Sequence, residues 1–170
     1  MDDPRLANLL GVTALAAVDR LRPGVDGEAG HGGGAAAALV HLHAWPGESV
    51  ERLRRVLGIS QPATVRTVNR LVADGLLERR AGPDRRTAAL VLTAAGRAAA
   101  VRVLEARADA LQGFLEPLDE GERARLLPLL ERLAASLADD RGGAVRVCRL
   151  CDRGACYETS LCPLDHTVPR

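Results

Sequence analysis

Lysine is absent from this 170-residue sequence; all 23 basic residues are arginine. Biased base composition in the coding DNA accounts for that exchange of one cation for another without a functional demand. Aromatic side chains are scarce too, with Trp45, Phe114 and Tyr157 the complete set. Alanine, leucine and valine supply the apolar content instead, which favours helix-on-helix packing over an aromatic-rich sheet. No apolar run approaches the roughly 20 residues that span a bilayer. The start, Met1-Asp2-Asp3-Pro4, is acidic and lacks the basic-then-apolar order of a secretory leader. The expected location is therefore cytoplasmic. Gly32-Gly33-Gly34 lacks a following Lys-Ser/Thr, no Gly-x-Ser-x-Gly occurs, and no Ser/His/Asp set suggests itself, so enzyme chemistry is not expected. Cysteine is missing from the first 147 residues, then appears four times within residues 148–162.

What is present is unevenly distributed. Residues 1–49 hold 3 Arg and 6 acids, net −3; residues 50–97 hold 10 Arg and 4 acids, net +6; residues 98–170 hold 10 Arg and 12 acids, net −2. A length of 170 residues suits one compact domain, or one domain with a small appendage. Attraction to phosphate needs a locally basic face rather than a basic protein, and the middle segment supplies one.

Apolar residues at helical spacing predict a helix over 5–22, ended by Pro23-Gly24, then a mobile glycine-rich loop to Gly34. Ala35 to Trp45 predicts a short apolar helix. Ser49 is placed to cap a helix from Val50 to Leu57, stopped by Gly58; Ser60 is placed to cap the next, with Pro62 in its first turn. Two helices about a tight glycine turn form a helix-turn-helix. Gly75 to Arg80 and Thr87 to Leu92 predict two strands about a turn, Gly82-Pro83-Asp84-Arg85-Arg86. A long alanine-rich helix over 94–116 and a last helix over 120–138 follow, the latter capped by Asp119 with Glu122 and bent at Pro128. Asp139 to Gly143 reads as a polar linker, and 144–170 as a separate tail.

Side chains near the start of a helix lying in the major groove meet base edges. Gln61, Thr64 and Arg66 are the candidates for base contact, with Arg66 suited to guanine and Gln61 to adenine. Thr67 and Arg70 are assigned to phosphate, and Ser60 to both cap and phosphate. Arg86 at the hairpin tip suits a narrow minor groove, with Asp84 orienting it. Together these imply a reader of duplex DNA. A protein-interaction adaptor built on the same fold, with a structural zinc tail, is the alternative.

Leu57-Gly58-Ile59-Ser60-Gln61 through Leu71, Gly75-Leu76-Leu77-Glu78-Arg79, and Asp84-Arg85-Arg86 followed by Leu90-Val91-Leu92-Thr93 and Gly96 together resemble the recognition helix and wing of MarR-family transcriptional regulators. The resemblance covers about residues 5–138. It implies a mainly α (α+β) winged helix-turn-helix, with a DNA-binding lobe at about 48–97. It also implies a homodimer, in which the first and the last two helices of two chains interlock over a pseudo-palindromic operator. Repression relieved by a small-molecule effector, often an aromatic acid, in a crevice between dimer helices and lobe is the family's usual mode. The domain expected over 1–143 is then followed by a cysteine-rich tail over 144–170.

That tail reads C-x2-C-x4-C-x5-C, through Cys148, Cys151, Cys156 and Cys162. Four thiolates within 15 residues suit one tetrahedral zinc ion with no open position. An iron–sulfur cluster and a thiol redox switch remain alternatives, and the tail is expected to couple metal or redox state to DNA binding. His166 is a candidate substitute ligand. His41 and His43, two residues apart and with no evident carboxylate partner, read as core or surface histidines.

Overall fold

A computed structural model of the protein describes residues 3–30, 32, 34–82, 88–157 and 162–164. Within them the chain forms α1 (Pro4–Glu28), α2 (Ala35–Ala44), α3 (Val50–Leu57), α4 (Gln61–Ala73), β1 (Leu77–Ala81), β2 (Ala88–Leu92), α5 (Ala94–Leu115), α6 (Glu120–Ala135), α7 (Arg141–Val147) and α8 (Arg153–Tyr157). The two strands pair antiparallel, Leu77 opposite Leu92 and Ala81 opposite Ala88.

Short polar residues start most of the helices, as their hydroxyl or carboxylate oxygens satisfy first-turn amides. Ser49 accepts from Arg52 N–H at 3.2 Å and Ser60 from Ala63 N–H at 3.4 Å. Thr93 accepts from Gly96 N–H at 3.0 Å. Asp119 and Glu122 form a reciprocal capping box. Between α3 and α4, Gly58 takes φ +65°, the left-handed conformation that closes a helix and turns the chain.

Helix α2 is the hub. Its residues Ala35 to Leu42 are buried, and it packs against α1, α3, α4, α5 and β2. Alanines along one side let neighbouring helices come close. Leu39, Leu53, Val68, Leu71, Leu77, Leu90 and Val103 close the core around it. The start of α5 presses on the loop before β1: a Cβ at Gly96 would overlap the Leu76 carbonyl oxygen. The loop after α2 is stitched to the wing, with Gly47 N–H donating to Leu90 O at 2.8 Å and Leu90 N–H to Glu48 O at 2.9 Å.

Three expected boundaries move. Helix α1 does not stop at Pro23 but runs to Glu28, so residues 24–28 are helix, not mobile loop. Burial of Val25 and Ala29 in the core, and an ion pair from Glu28 to Arg102 of α5 at 2.8 Å, offset the backbone bond that Pro23 removes. Helix α6 continues through Pro128 but ends at Ala135 rather than 138. The expected linker 139–143 is partly helical: Asp140 accepts from Gly143 N–H at 2.6 Å and starts α7, so a division after residue 143 falls inside a helix. Nor does the tail stand apart, because α7 packs on α3.

Candidate nucleic-acid interface

Helix α4 turns one face inward, where Thr64, Val68 and Leu71 are buried. Its other face carries Gln61, Arg66, Asn69 and Arg70, all exposed, with Ser60 exposed at its cap. Thr67 is half-buried and donates to Ala63 O at 3.1 Å. One candidate base contact is overturned. Thr64 is 0% exposed, and its hydroxyl donates to Ser60 O at 3.1 Å, so its side chain cannot reach a ligand outside the fold. Asp84 and Arg86 lie outside the described residues, as do Pro83, Arg85 and His166.

The ten arginines of the basic segment are not equivalent. Arg54 and Arg55 grip Glu51 at 2.8 and 3.1 Å, and their hydrogen bonds, Arg54 first, pull its carboxyl down to about 2. Arg52 reaches Glu48 at 3.5 Å, Arg80 pairs with Glu78, and Arg97 donates to Leu92 O at 2.8 Å. Arg79 donates to Asn69 Oδ1 at 2.6 Å, a tie between β1 and α4 that sequence spacing did not suggest. Among the described residues, Arg66 and Arg70 are the two of the ten that no hydrogen bond or ion pair holds locally. They sit one helical turn apart on the recognition helix, beside a surface cavity of about 810 Å³ that Thr67 and Arg149 also line. Arg149, from the C-terminal segment, is a cation near this face that linear sequence gave no reason to place there.

Behind the lobe, His41 is 3% exposed and its Nε2 lies 2.5 Å from Glu48 Oε2. A core position suits the expectation for His41, but the carboxylate partner was missed: it comes from the loop that β2 holds in place. Burial opposes ionisation of Glu48, yet the hydrogen bond and charge of His41, with Arg52, outweigh it and hold the carboxyl below its ordinary range. His43 is exposed.

The four cysteines come together. All are half-buried, and all line one cavity of about 280 Å³ whose opposite wall includes His41, Trp45 and Glu48. Cys151 Sγ stands 3.5 Å from Cys156 Sγ. A hydrogen bond with Cys151 pulls the Cys148 thiol down and pushes Cys151 up, with burial adding to the latter; burial and Cys151 push Cys156 up to about 11. Among the described residues no group of three or more His, Cys, Asp or Glu side chains is already set to hold an ion. Arg153 lies over the rings of Trp45 and Tyr157, 4.3 and 4.9 Å from their centroids, and Trp45 stacks on His41 at 4.7 Å.

A third cavity, of about 460 Å³, lies between α1 and α2. Leu21, Val25, Asp26 and Leu150 are among its lining residues, and no aromatic side chain is.

A helix-turn-helix backed by a two-stranded wing and flanked by long helices is a specific arrangement, and comparison with solved structures decides which one. Wild-type MarR from E. coli, in its apo form, superposes with a TM-score of 0.62 over 78% of this chain and 98% of that one, at 23% identity. The fold is the MarR winged-helix fold. Residues 32–87, which include α2 to β1, also match the MarR family in sequence. CouR, a transcriptional repressor solved on a 23-mer DNA duplex, has a TM-score of 0.58 at 28% identity, over 79% of this chain and 98% of its own. The uncharacterized HTH-type transcriptional regulator YwhA of Bacillus subtilis (strain 168) is 31% identical over 87 residues, 51% of this chain and 63% of that protein. The matched region thus spans less than two thirds of that relative's length.

Proposed function

We propose that the chain is a MarR-family transcriptional regulator that binds duplex DNA as a homodimer on a pseudo-palindromic operator, acting as a repressor. The observation that carries this reading is the pair Arg66 and Arg70, exposed on the recognition helix while the other described arginines of the lobe are engaged. Arginine suits the O6 and N7 of guanine or a phosphate equally well, and Gln61 at the helix start is exposed for adenine. The likeness to CouR, a repressor seen on DNA, supports the same use of the fold. A dimer is supported by apolar faces that, among the described residues, stand exposed on the single chain. Leu6, Leu9, Leu10 and Leu15 on α1 and Leu127, Leu130 and Leu133 on α6 are all exposed, Leu15 by 69%. An apolar area of that kind on a water-soluble fold marks an interface.

Selection of duplexes from a random library on the purified protein, followed by affinity titration across salt, tests the reading. Enrichment of a sequence with inverted symmetry is expected. Its affinity should fall about a thousandfold or more between roughly 50 and 200 mM salt, as six or more phosphate contacts require. Failure to enrich any duplex, or binding indifferent to salt, sinks it and leaves the adaptor reading.

A further inference from the structure

The four cysteines stand apart from the DNA-facing surface, at the place where the C-terminal segment meets the helix-turn-helix. Cys148 ends α7; a tight turn follows in which Cys151 N–H donates to Cys148 O at 2.9 Å. Cys156 lies on α8, and Cys162 returns to the same cavity. A zinc–thiolate bond is about 2.3 Å long, so the sulfurs of a tetrahedral site stand about 3.8 Å apart. The 3.5 Å between Cys151 and Cys156 is close to one edge of that tetrahedron. A four-iron cluster fastens each cysteine to a different iron and spreads them wider.

Charge around the cavity also fits. Four thiolates about a divalent ion carry a net −2, which buried surroundings tolerate only beside cations. Arg141 and Arg153 line the cavity, and Arg107 of α5 is near enough for its charge to act on Cys151 and Cys156.

We propose that Cys148, Cys151, Cys156 and Cys162 bind a single zinc ion as a closed four-thiolate site, and that the ion fixes the C-terminal segment against the helix-turn-helix. The thiol protons leave to solvent on binding, and no oxidant or reductant takes part. The ligand loop is anchored on both sides of the turn it would hold. Leu150, between the first two ligands, packs against the main core, and Arg149 lines the cavity beside Arg66 and Arg70. Two residues before Cys148, Arg146 covers Gly58 so closely that a Cβ there would lie 2.8 Å from its Cδ. Zinc would thus tie α7 to the turn between α3 and α4.

The test uses the full chain, purified reduced and without chelator. Metal analysis is expected to give one zinc per chain. Zinc-free protein titrated with cobalt(II) is expected to show the visible bands of a four-sulfur tetrahedral site. Cys148→Ser and Cys156→Ser should each weaken zinc binding by about tenfold or more, with circular dichroism confirming that the helices remain. Removing zinc from the wild type should speed amide exchange across residues 141–157 by roughly tenfold, with α2 unchanged. A reduced wild type that stays colourless with cobalt, one that carries iron and sulfide instead, or exchange at 141–157 indifferent to zinc overturns the proposal. None of these readouts involves DNA, so they stand or fall independently of the regulator reading.

Discussion

Thr64 and Arg66 lie two residues apart on α4 and meet opposite surroundings, one sealed in the core and the other in solvent. Replacing Thr64 by valine keeps the volume and gives up a hydroxyl whose bond goes to its own helix. The expected outcome is unchanged operator affinity and a stability change within about 1 kcal/mol. Arg66→Ala should instead cost about 1–3 kcal/mol in binding with folding intact. Anisotropy titrations and urea melts of the two variants check this, and a folded Thr64→Val protein that no longer binds DNA would contradict it. The burial of Thr64 was legible in the sequence, since it stands four and seven positions before Val68 and Leu71 and so shares their face; its polar character drew attention the wrong way. Glu48 makes a second residue-level case. Its folded pKa lies below the ordinary 4.5, so the stability it contributes is present above that value and is lost as pH falls through the lowered one. Glu48→Gln removes that contribution. The gap in melting temperature between wild type and variant should therefore be widest near neutral pH and close progressively below about 4.5. A gap that widens in acid would refute the assignment.

At the scale of elements, α1 and α6 present leucines that the single chain leaves in water. If these faces form the dimer, Leu130→Glu and Leu133→Glu on α6 should each withdraw about 2 kcal/mol, roughly thirtyfold in the dimer dissociation constant. Sedimentation equilibrium measures this directly, and a wild type that is monomeric at micromolar concentration removes the basis for it. Helix starts were the most legible elements, because Ser49, Ser60, Thr93 and the Asp119–Glu122 box act through local hydrogen bonds that spacing reveals. The end of α1 was not legible. Pro23-Gly24 is a stop signal by local rules, but Val25, Ala29 and the Glu28–Arg102 pair answer to α5, about 75 residues further on. A strong local signal lost to contacts that only the folded chain creates.

For the molecule as a whole, the unexpected feature is where the C-terminal segment goes. The cysteine spacing suggested that four thiols could converge, and all four line one cavity. Nothing in the spacing showed that the cavity would be completed by α2 and its following loop, or that α7 would lie on α3. Docking of that kind depends on surface shape between segments about 90 residues apart, and Arg146 over Gly58 or Arg153 over Trp45 leave no periodic trace. The His41–Glu48 contact was hidden for a related reason: it needs the β2 bridge at Leu90 to bring the loop round.

Trp45 is the sole tryptophan of the chain. Its indole stacks on His41 and also meets the Arg153 guanidinium. Tryptophan fluorescence, excited where Tyr157 does not absorb, is therefore a single-site optical signal, emitted at the seam between the helix-turn-helix lobe and the C-terminal segment. Lifting of the segment exposes one indole to water and alters its emission, so opening and closing of that seam can be followed in real time without a label.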